Sequence, residues 1–351
     1  MDAILEGVRV VGLSVAVPKQ IEQVSESGYG DESLRERFSA ATGIKQRRLC
    51  NRDQFGSDLA HAAADRLLSE LGWDRGEIDA LIYLTQTPDV ALPATACILQ
   101  DRLGLPSSCA AFDVNQGCAG YPYGLYIAGS FLRENGPKKV LLLVGDTAGK
   151  IKVPSRRDEI APLFGDAISA TALELSNNAE PMYFQFGTDG SGWDVIMERR
   201  PCGNPPFTRD NYIHETLDGG EVACSTPFEM RGEDVFNFST ATAPKIVKEL
   251  LDFAQLEKDS IDAFIFHQAN KMINNFIGKR LKLEPEKTPS TLEEFGNTSS
   301  ATIPITLLHR CREPLTSGSM SLVLCGFGVG LSWASVACRL DSLVIPELVE
   351  I

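Results

Sequence analysis

Glu77-Ile78-Asp79-Ala80-Leu81-Ile82-Tyr83-Leu84 returns 183 residues later as Ser260-Ile261-Asp262-Ala263-Phe264-Ile265-Phe266-His267. Both segments place Ile-Asp-Ala ahead of a short apolar run, the pattern of a strand buried on both faces. Two more pairs follow in the same order. Arg102-Leu103-Gly104-Leu105 matches Arg280-Leu281-Lys282-Leu283 at an offset of 178. Val140-Leu141-Leu142-Leu143-Val144-Gly145 matches Ser321-Leu322-Val323-Leu324-Cys325-Gly326 at an offset of 181. One such match is cheap; three in register imply an internal duplication.

Helical patterns separate the apolar runs, at Leu59 to Leu71, Tyr121 to Arg133 and Phe238 to Phe253. The alternation predicts α/β layering with mostly parallel inner strands. The chain reads as two similar α/β halves, residues 1–178 and 179–351, packed as a five-layered α-β-α-β-α pseudo-dimer. Residues 193–232 have no counterpart in the first half. They are rich in Pro, Gly and Asn and read as a loop insertion near the active site.

Composition narrows the function classes. The 351 residues are 43% hydrophobic and 23% charged, ordinary for a globular protein, with a net charge of −14. An acidic surface argues against nucleic acid and anionic membranes as partners. Nine cysteines without a pairing pattern imply reduced thiols and a cytoplasmic setting. Cys97, Cys325 and Cys338 lie in apolar runs and read as buried core thiols. The four histidines stand at no metal-ligand spacing, so no metal site is expected. The N-terminus lacks the basic and apolar regions of a signal peptide. Ser321 to Cys338 carries no charge, but Gly326, Gly328 and Gly330 interrupt it. It reads as two buried strands joined by a glycine turn, not a membrane span.

Three residues stand out at the ends of repeated elements. Cys118 lies in Asn115-Gln116-Gly117-Cys118-Ala119-Gly120, between the apolar run Ala110 to Val114 and a helical pattern. A thiol near a helix N-terminus is expected to have a lowered pKa and to serve as a nucleophile; the alternative is a buried structural cysteine. His267 follows the strand Ala263 to Phe266, where α/β proteins bind ligands, or else it is a satisfied core histidine. Asn297 lies in Phe295-Gly296-Asn297-Thr298-Ser299, ahead of the helical pattern Ile303 to Cys311, where it also reads as a helix cap. The repeat sets Gly296-Asn297 opposite Gly117-Cys118. A nucleophile with two neutral hydrogen-bond donors is what thioester chemistry needs.

These pieces resemble the β-ketoacyl-acyl-carrier-protein synthase III family of the thiolase superfamily, over about residues 12–340. The resemblance rests on Thr42-Gly43-Ile44, Cys118-Ala119-Gly120-Tyr121, Phe164-Gly165-Asp166, Asp189-Gly190-Ser191, His267-Gln268-Ala269-Asn270, Gly296-Asn297-Thr298-Ser299 and Gly326-Phe327-Gly328-Val329-Gly330. It implies a thiolase-like fold and an acyl group carried on Cys118. An oxyanion hole would come from the Cys118 N–H and the turn at Gly328 and Val329. A malonyl thioester would then lose CO2 against His267 and Asn297, and its carbanion would take the acyl group. Phe164-Gly165-Asp166 and Asp189-Gly190-Ser191 are implied as structural supports.

Leu92, Phe236 and Asn270 are implied in the substrate pocket. The family is homodimeric, and the loop holding Leu92 closes the partner's pocket. Many members have an aromatic residue where this chain has Leu92. No cofactor is bound permanently; acyl-CoA or acyl-carrier-protein thioesters are substrates. Arg37 and Ala41 replace the Trp–Arg pair that clamps the CoA adenine in acetyl-CoA-using members, which leaves both donors open. Lys271, Lys279 and Arg280 are implied as the seat of an acidic acyl carrier protein. The alternatives are an acyltransferase using a non-malonyl acceptor and a non-catalytic partner subunit.

Overall fold

The computed structural model describes residues 1–150, 160, 162–198, 213–216, 222–225 and 228–351. Two sheets form its frame. The first contains β2 (Val8–Val17), β5 (Ala80–Leu84), β6 (Ala110–Val114), β7 (Lys139–Thr147), β8 (Asp166–Leu175) and β17 (Val349–Glu350), in the order β17-β2-β8-β7-β5-β6. The second contains β1 (Asp2–Leu5), β9 (Met182–Thr188), β14 (Ala263–Phe266), β15 (Ser319–Gly328) and β16 (Ser332–Asp341), in the order β1-β9-β16-β15-β14. Short ladders pair β3 (Ile21–Gln23) with β4 (Gln46–Arg48), β10 (Ile196–Glu198) with β13 (Phe228–Met230), and β11 (Ile213–Thr216) with β12 (Val222–Ser225).

The duplication is visible in the pairing. β5 and β7 are parallel, β7 and β8 antiparallel, β8 and β2 antiparallel. The second sheet repeats this with β14, β15, β16 and β9. The sheets are therefore mixed, which corrects the expectation of mostly parallel strands. Burial on both faces produces the same apolar run whichever way a neighbour points, so the sequence pattern carries no strand direction.

Five layers result. α2 (Gly56–Leu71) and α3 (Thr95–Arg102), after the short α1 (Glu32–Thr42), pack on the outer face of the first sheet, against Leu81, Tyr83, Leu141 and Leu143. α4 (Gly120–Phe131) lies between the sheets. α5 (Gly232–Ala254) and α6 (Lys271–Leu281) cover the outer face of the second sheet, against Phe264, Phe266 and Val323. After the single turn α7 (Leu292–Phe295), α8 (Thr302–Ser317) joins α4 in the central layer. Ile82 and Leu142 from one sheet and Ile265 and Leu324 from the other meet these two helices. Alternate residues of each inner strand thus serve opposite layers. A fully buried Leu, Ile or Val contributes about 1.5–3 kcal/mol, so this alternation fixes the layer order.

The terminal strands cross between the halves. β1 pairs with β9 in the second sheet, and β17 pairs with β2 in the first. Cys325 and Cys338 are buried as expected, but Cys97 is exposed. It occupies the outward side of α3 beside β6, which is the open edge of its sheet. Much of the insertion lies outside the described residues; β10 and β13 bring its two ends back together.

Candidate active site

α4 and α8 begin on the same side of the central layer, and the residues ahead of them meet in one cavity. Cys118, His267 and Asn297 all line this cavity of about 1220 Å³. Cys118 sits in the tight turn between β6 and α4, closed by Gly120 N–H donating to the Gly117 carbonyl at 2.6 Å. The end of β15 presses against it. A Cβ on Gly328 would stand 2.6 Å from Cys118 Cβ and 2.7 Å from its Sγ. Only glycine lets the strand approach the sulfur this closely.

Burial pushes the Cys118 thiol up to about 11, against the pull of the Val329 backbone N–H. The expectation of a lowered pKa is thus overturned. The thiol lies deep enough that losing water outweighs the donors around it. A resting thiol of this kind needs a proton acceptor to become a nucleophile.

His267 follows β14, with its backbone N–H donating to the Cys325 carbonyl at 2.8 Å. Its ring meets Phe327 edge-on at 5.7 Å, and its Nδ1 is 2.8 Å from Thr302 Oγ1. Burial lowers its pKa to about 3, so the imidazole is neutral near pH 7.

Asn297 is fixed at both ends. Its backbone N–H donates to the Leu163 carbonyl, and its carbonyl accepts from Gly165 N–H, each at 3.0 Å. Arg47, itself buried, donates to the neighbouring Phe164 carbonyl at 2.9 Å. The Asn297 side-chain Oδ1 accepts from Ser299 N–H at 2.9 Å, in a turn where Ser299 has φ of 53°. Its Nδ2 is therefore the end left to donate into the cavity. The turn after β15 is clamped by two backbone bonds between Asp189 and Leu331, at 2.8 and 3.1 Å.

The remaining expected residues fall in four places. Phe236, Asn270, Arg37 and Ala41 line the cavity, as do Gly328 and Val329. Asn270 also caps α6, its Oδ1 accepting from Ile273 N–H at 2.8 Å. Lys271 faces a separate cleft of about 260 Å³, with Gln268 and Glu293. Lys279 and Arg280 are exposed in the last turn of α6, and Met272 of the same helix reaches the cavity. Leu92 is 87% exposed and touches no part of its own chain's cavity.

Two residues of this region were not singled out from sequence. Asp146, at the end of β7, is buried and accepts from Gln86 N–H at 2.6 Å and the Thr85 hydroxyl at 2.9 Å. The Ser300 hydroxyl reaches its other oxygen at 3.3 Å, tying the two halves beneath Cys118. The second is Thr302, the first residue of α8 and fully buried. A polar residue closing an apolar strand was the only available signal for Asp146; Thr302 offered none. Among the described residues, no group of three His, Cys, Asp or Glu could hold a metal ion, and no helix is long and apolar enough to cross a membrane.

Comparison with known proteins bears on the family and the fold. The profile for 3-oxoacyl-[acyl-carrier-protein (ACP)] synthase III matches residues 112–190, and that for its C-terminal part matches residues 251–340. The chain is 32% identical over 337 residues to the beta-ketoacyl-[acyl-carrier-protein] synthase III of Clostridium perfringens, covering 96% of this chain and 100% of that one. It is 32% identical over 340 residues to the synthase III of Geobacillus kaustophilus, covering 95% and 99%. The solved 3-oxoacyl-(acyl-carrier protein) synthase of Burkholderia xenovorans superposes with a TM-score of 0.91 at 35% identity, covering 100% and 99%. With the fold, the duplicated halves and relatives spanning its whole length in agreement, the chain belongs to the 3-oxoacyl-[acyl-carrier-protein] synthase III family of condensing enzymes.

Proposed function

We propose that the protein loads an acyl group from a thioester onto Cys118 and condenses it with a malonyl thioester to give a β-ketoacyl thioester. The convergence of Cys118, His267 and Asn297 on one cavity carries this reading. Cys118 is the nucleophile. The Cys118 and Val329 N–H groups receive the oxygen of the tetrahedral intermediate, as donors aimed at developing charge do. Asn297 Nδ2 and His267 hold the malonyl thioester carbonyl and stabilise the enolate left when CO2 departs.

An acyl carrier protein is the proposed source of the malonyl unit, since the names of the relatives include that partner. Exposed Lys279 and Arg280, on a helix whose Met272 reaches the cavity, suit an acidic carrier. We place a second copy of the chain on the open edge of β6, where Leu92 stands exposed beside the sheet. The proposed setting is the cytoplasm.

The test is intact-mass spectrometry of the purified protein with a panel of acyl-CoA and acyl-carrier thioesters. A mass gain absent from Cys118→Ala is expected, followed by its loss and CO2 release on addition of malonyl carrier. Acyl release to a non-malonyl acceptor without CO2 would replace condensation by simple transfer. No mass gain from any donor would overturn the reading in favour of a non-catalytic subunit.

A further inference from the structure

The hydrogen bonds around His267 decide which of its ring nitrogens carries the hydrogen. Thr302 is fully buried, and its single hydroxyl proton donates to the Ser299 carbonyl at 2.8 Å. The same oxygen lies 2.8 Å from His267 Nδ1. With the proton committed to Ser299, Oγ1 has only lone pairs to offer, so Nδ1 must carry the hydrogen. The Ser299 carbonyl also lies near enough to raise the ring's proton affinity, as a carbonyl facing an N–H does. Nε2 is then the unprotonated nitrogen, on the side of the ring away from Thr302.

We propose that Thr302 is a positioning residue that holds His267 as the Nδ1–H tautomer, making Nε2 the proton acceptor for Cys118 and the carrier of the proton that condensation consumes. The inference rests on the proposed function and deepens it. In the first half-reaction the Cys118 S–H bond breaks, and its proton passes to Nε2. The sulfur forms a bond to the thioester carbonyl carbon, the old C–S bond breaks, and the departing thiolate takes the proton from Nε2. No net proton is used.

The second half-reaction does consume one. A malonyl carboxylate and an acyl-enzyme give a neutral β-ketoacyl thioester, CO2 and a cysteine thiol, so one proton must come from solvent. Nε2 takes it from water as the malonyl carboxylate arrives, because a nearby anion favours the imidazolium. It donates to the enolate oxygen beside Asn297 Nδ2. It then delivers the proton to the Cys118 thiolate as the acyl C–S bond breaks. Throughout, Nδ1–H donates to Thr302 Oγ1, and a bond to a charged donor is stronger than a neutral one.

The direct test is nitrogen NMR of the full protein labelled at histidine. Only four histidines are present, and His267→Gln identifies the signal of interest. The expected result is a pyrrole-type Nδ1 and a pyridine-type Nε2 at neutral pH. A pyridine-type Nδ1 overturns the proposal, and this readout needs no variant at Thr302 and no substrate. In Thr302→Val the tautomer preference should weaken, and both Cys118 acylation and CO2 release should slow roughly tenfold to a hundredfold. Thr302→Ser should restore both and the wild-type spectrum. Wild-type rates in a folded Thr302→Val, or no recovery in Thr302→Ser, would also overturn it. Failure of the wild type to release CO2 from malonyl thioester would instead sink the proposed function and leave the tautomer result standing.

Discussion

Gly328→Ala isolates the contact between β15 and the proposed nucleophile. The new methyl carbon would lie 2.6 Å from Cys118 Cβ and 2.7 Å from Sγ. Ordinary contacts begin at 3.4 Å, so the overlap is about 0.7–0.8 Å. The strand has little room to give way. Gly326, two residues earlier, has Ala119 Cα at 2.7 Å from the place of its absent Cβ, so the strand cannot slide across the turn. Overpacking of this sort costs about 1–3 kcal/mol. The cheaper relief is rotation of the thiol, which carries Sγ about 1 Å from its place, and misplacement on that scale costs on the order of 10²-fold in rate. Single-turnover acylation of Cys118, read by intact mass, should fall by that factor. Chemical denaturation should show the stability loss, and a Cys118→Gly background should relieve the part that comes from the two clashing atoms, leaving the backbone strain of a side chain at φ 157°. Acylation at the wild-type rate with unchanged stability would refute the close-approach argument. So would an equal stability loss with and without the Cys118 side chain.

Other outcomes follow from the same geometry. Asn297→Asp replaces the free Nδ2 donor with an acceptor; CO2 release should fall at least about a hundredfold while Cys118 acylation persists, and comparable losses in both steps would contradict the assigned orientation. Alkylation of Cys118 by iodoacetamide should rise about tenfold per pH unit from neutrality towards pH 11, because the raised pKa keeps the thiolate scarce below it; a rate that bends at about pH 8.5 and levels off by about pH 9.5 would mean an ordinary thiol. Lys279→Glu with Arg280→Glu should weaken reaction with carrier-bound malonate and its salt dependence, yet leave a small malonyl thioester mimic turned over at the normal rate; equal effects on both substrates would remove the carrier from that helix.

Much of this fold can be read directly from the chain. The Ile-Asp-Ala runs at 78–80 and 261–263 lead into β5 and β14, and the core order β2-β8-β7-β5 repeats as β9-β16-β15-β14. The alignment of Gly117-Cys118 with Gly296-Asn297 sets both at equivalent turns ahead of helical patterns, and these are α4 and α8. Strand direction was not readable, since apolar runs buried on both faces look alike in parallel and antiparallel sheets. The exposure of Cys97 was hidden because it depends on which strand forms the sheet edge. The raised pKa of Cys118 was missed for a deeper reason. A helix N-terminus is a local feature visible in sequence, whereas desolvation sums over every layer packed above the sulfur. Asp146 and Thr302 are hydrogen-bonded to partners 154 and 35 residues away, Ser300 and His267, which no local pattern reveals.

The exchanged terminal strands have a consequence for how the molecule is made. β17 supplies the last partner of β2, so Ala16 waits for Val349, a residue made more than 300 positions later. β1 likewise waits for β9 in the other half. Contacts this distant must overcome a large loop-closure entropy before they stabilise anything. The edge of the first sheet therefore stays open until residues 349–350 have been made. The two halves, similar as they are, mature together, each holding a strand that the other needs.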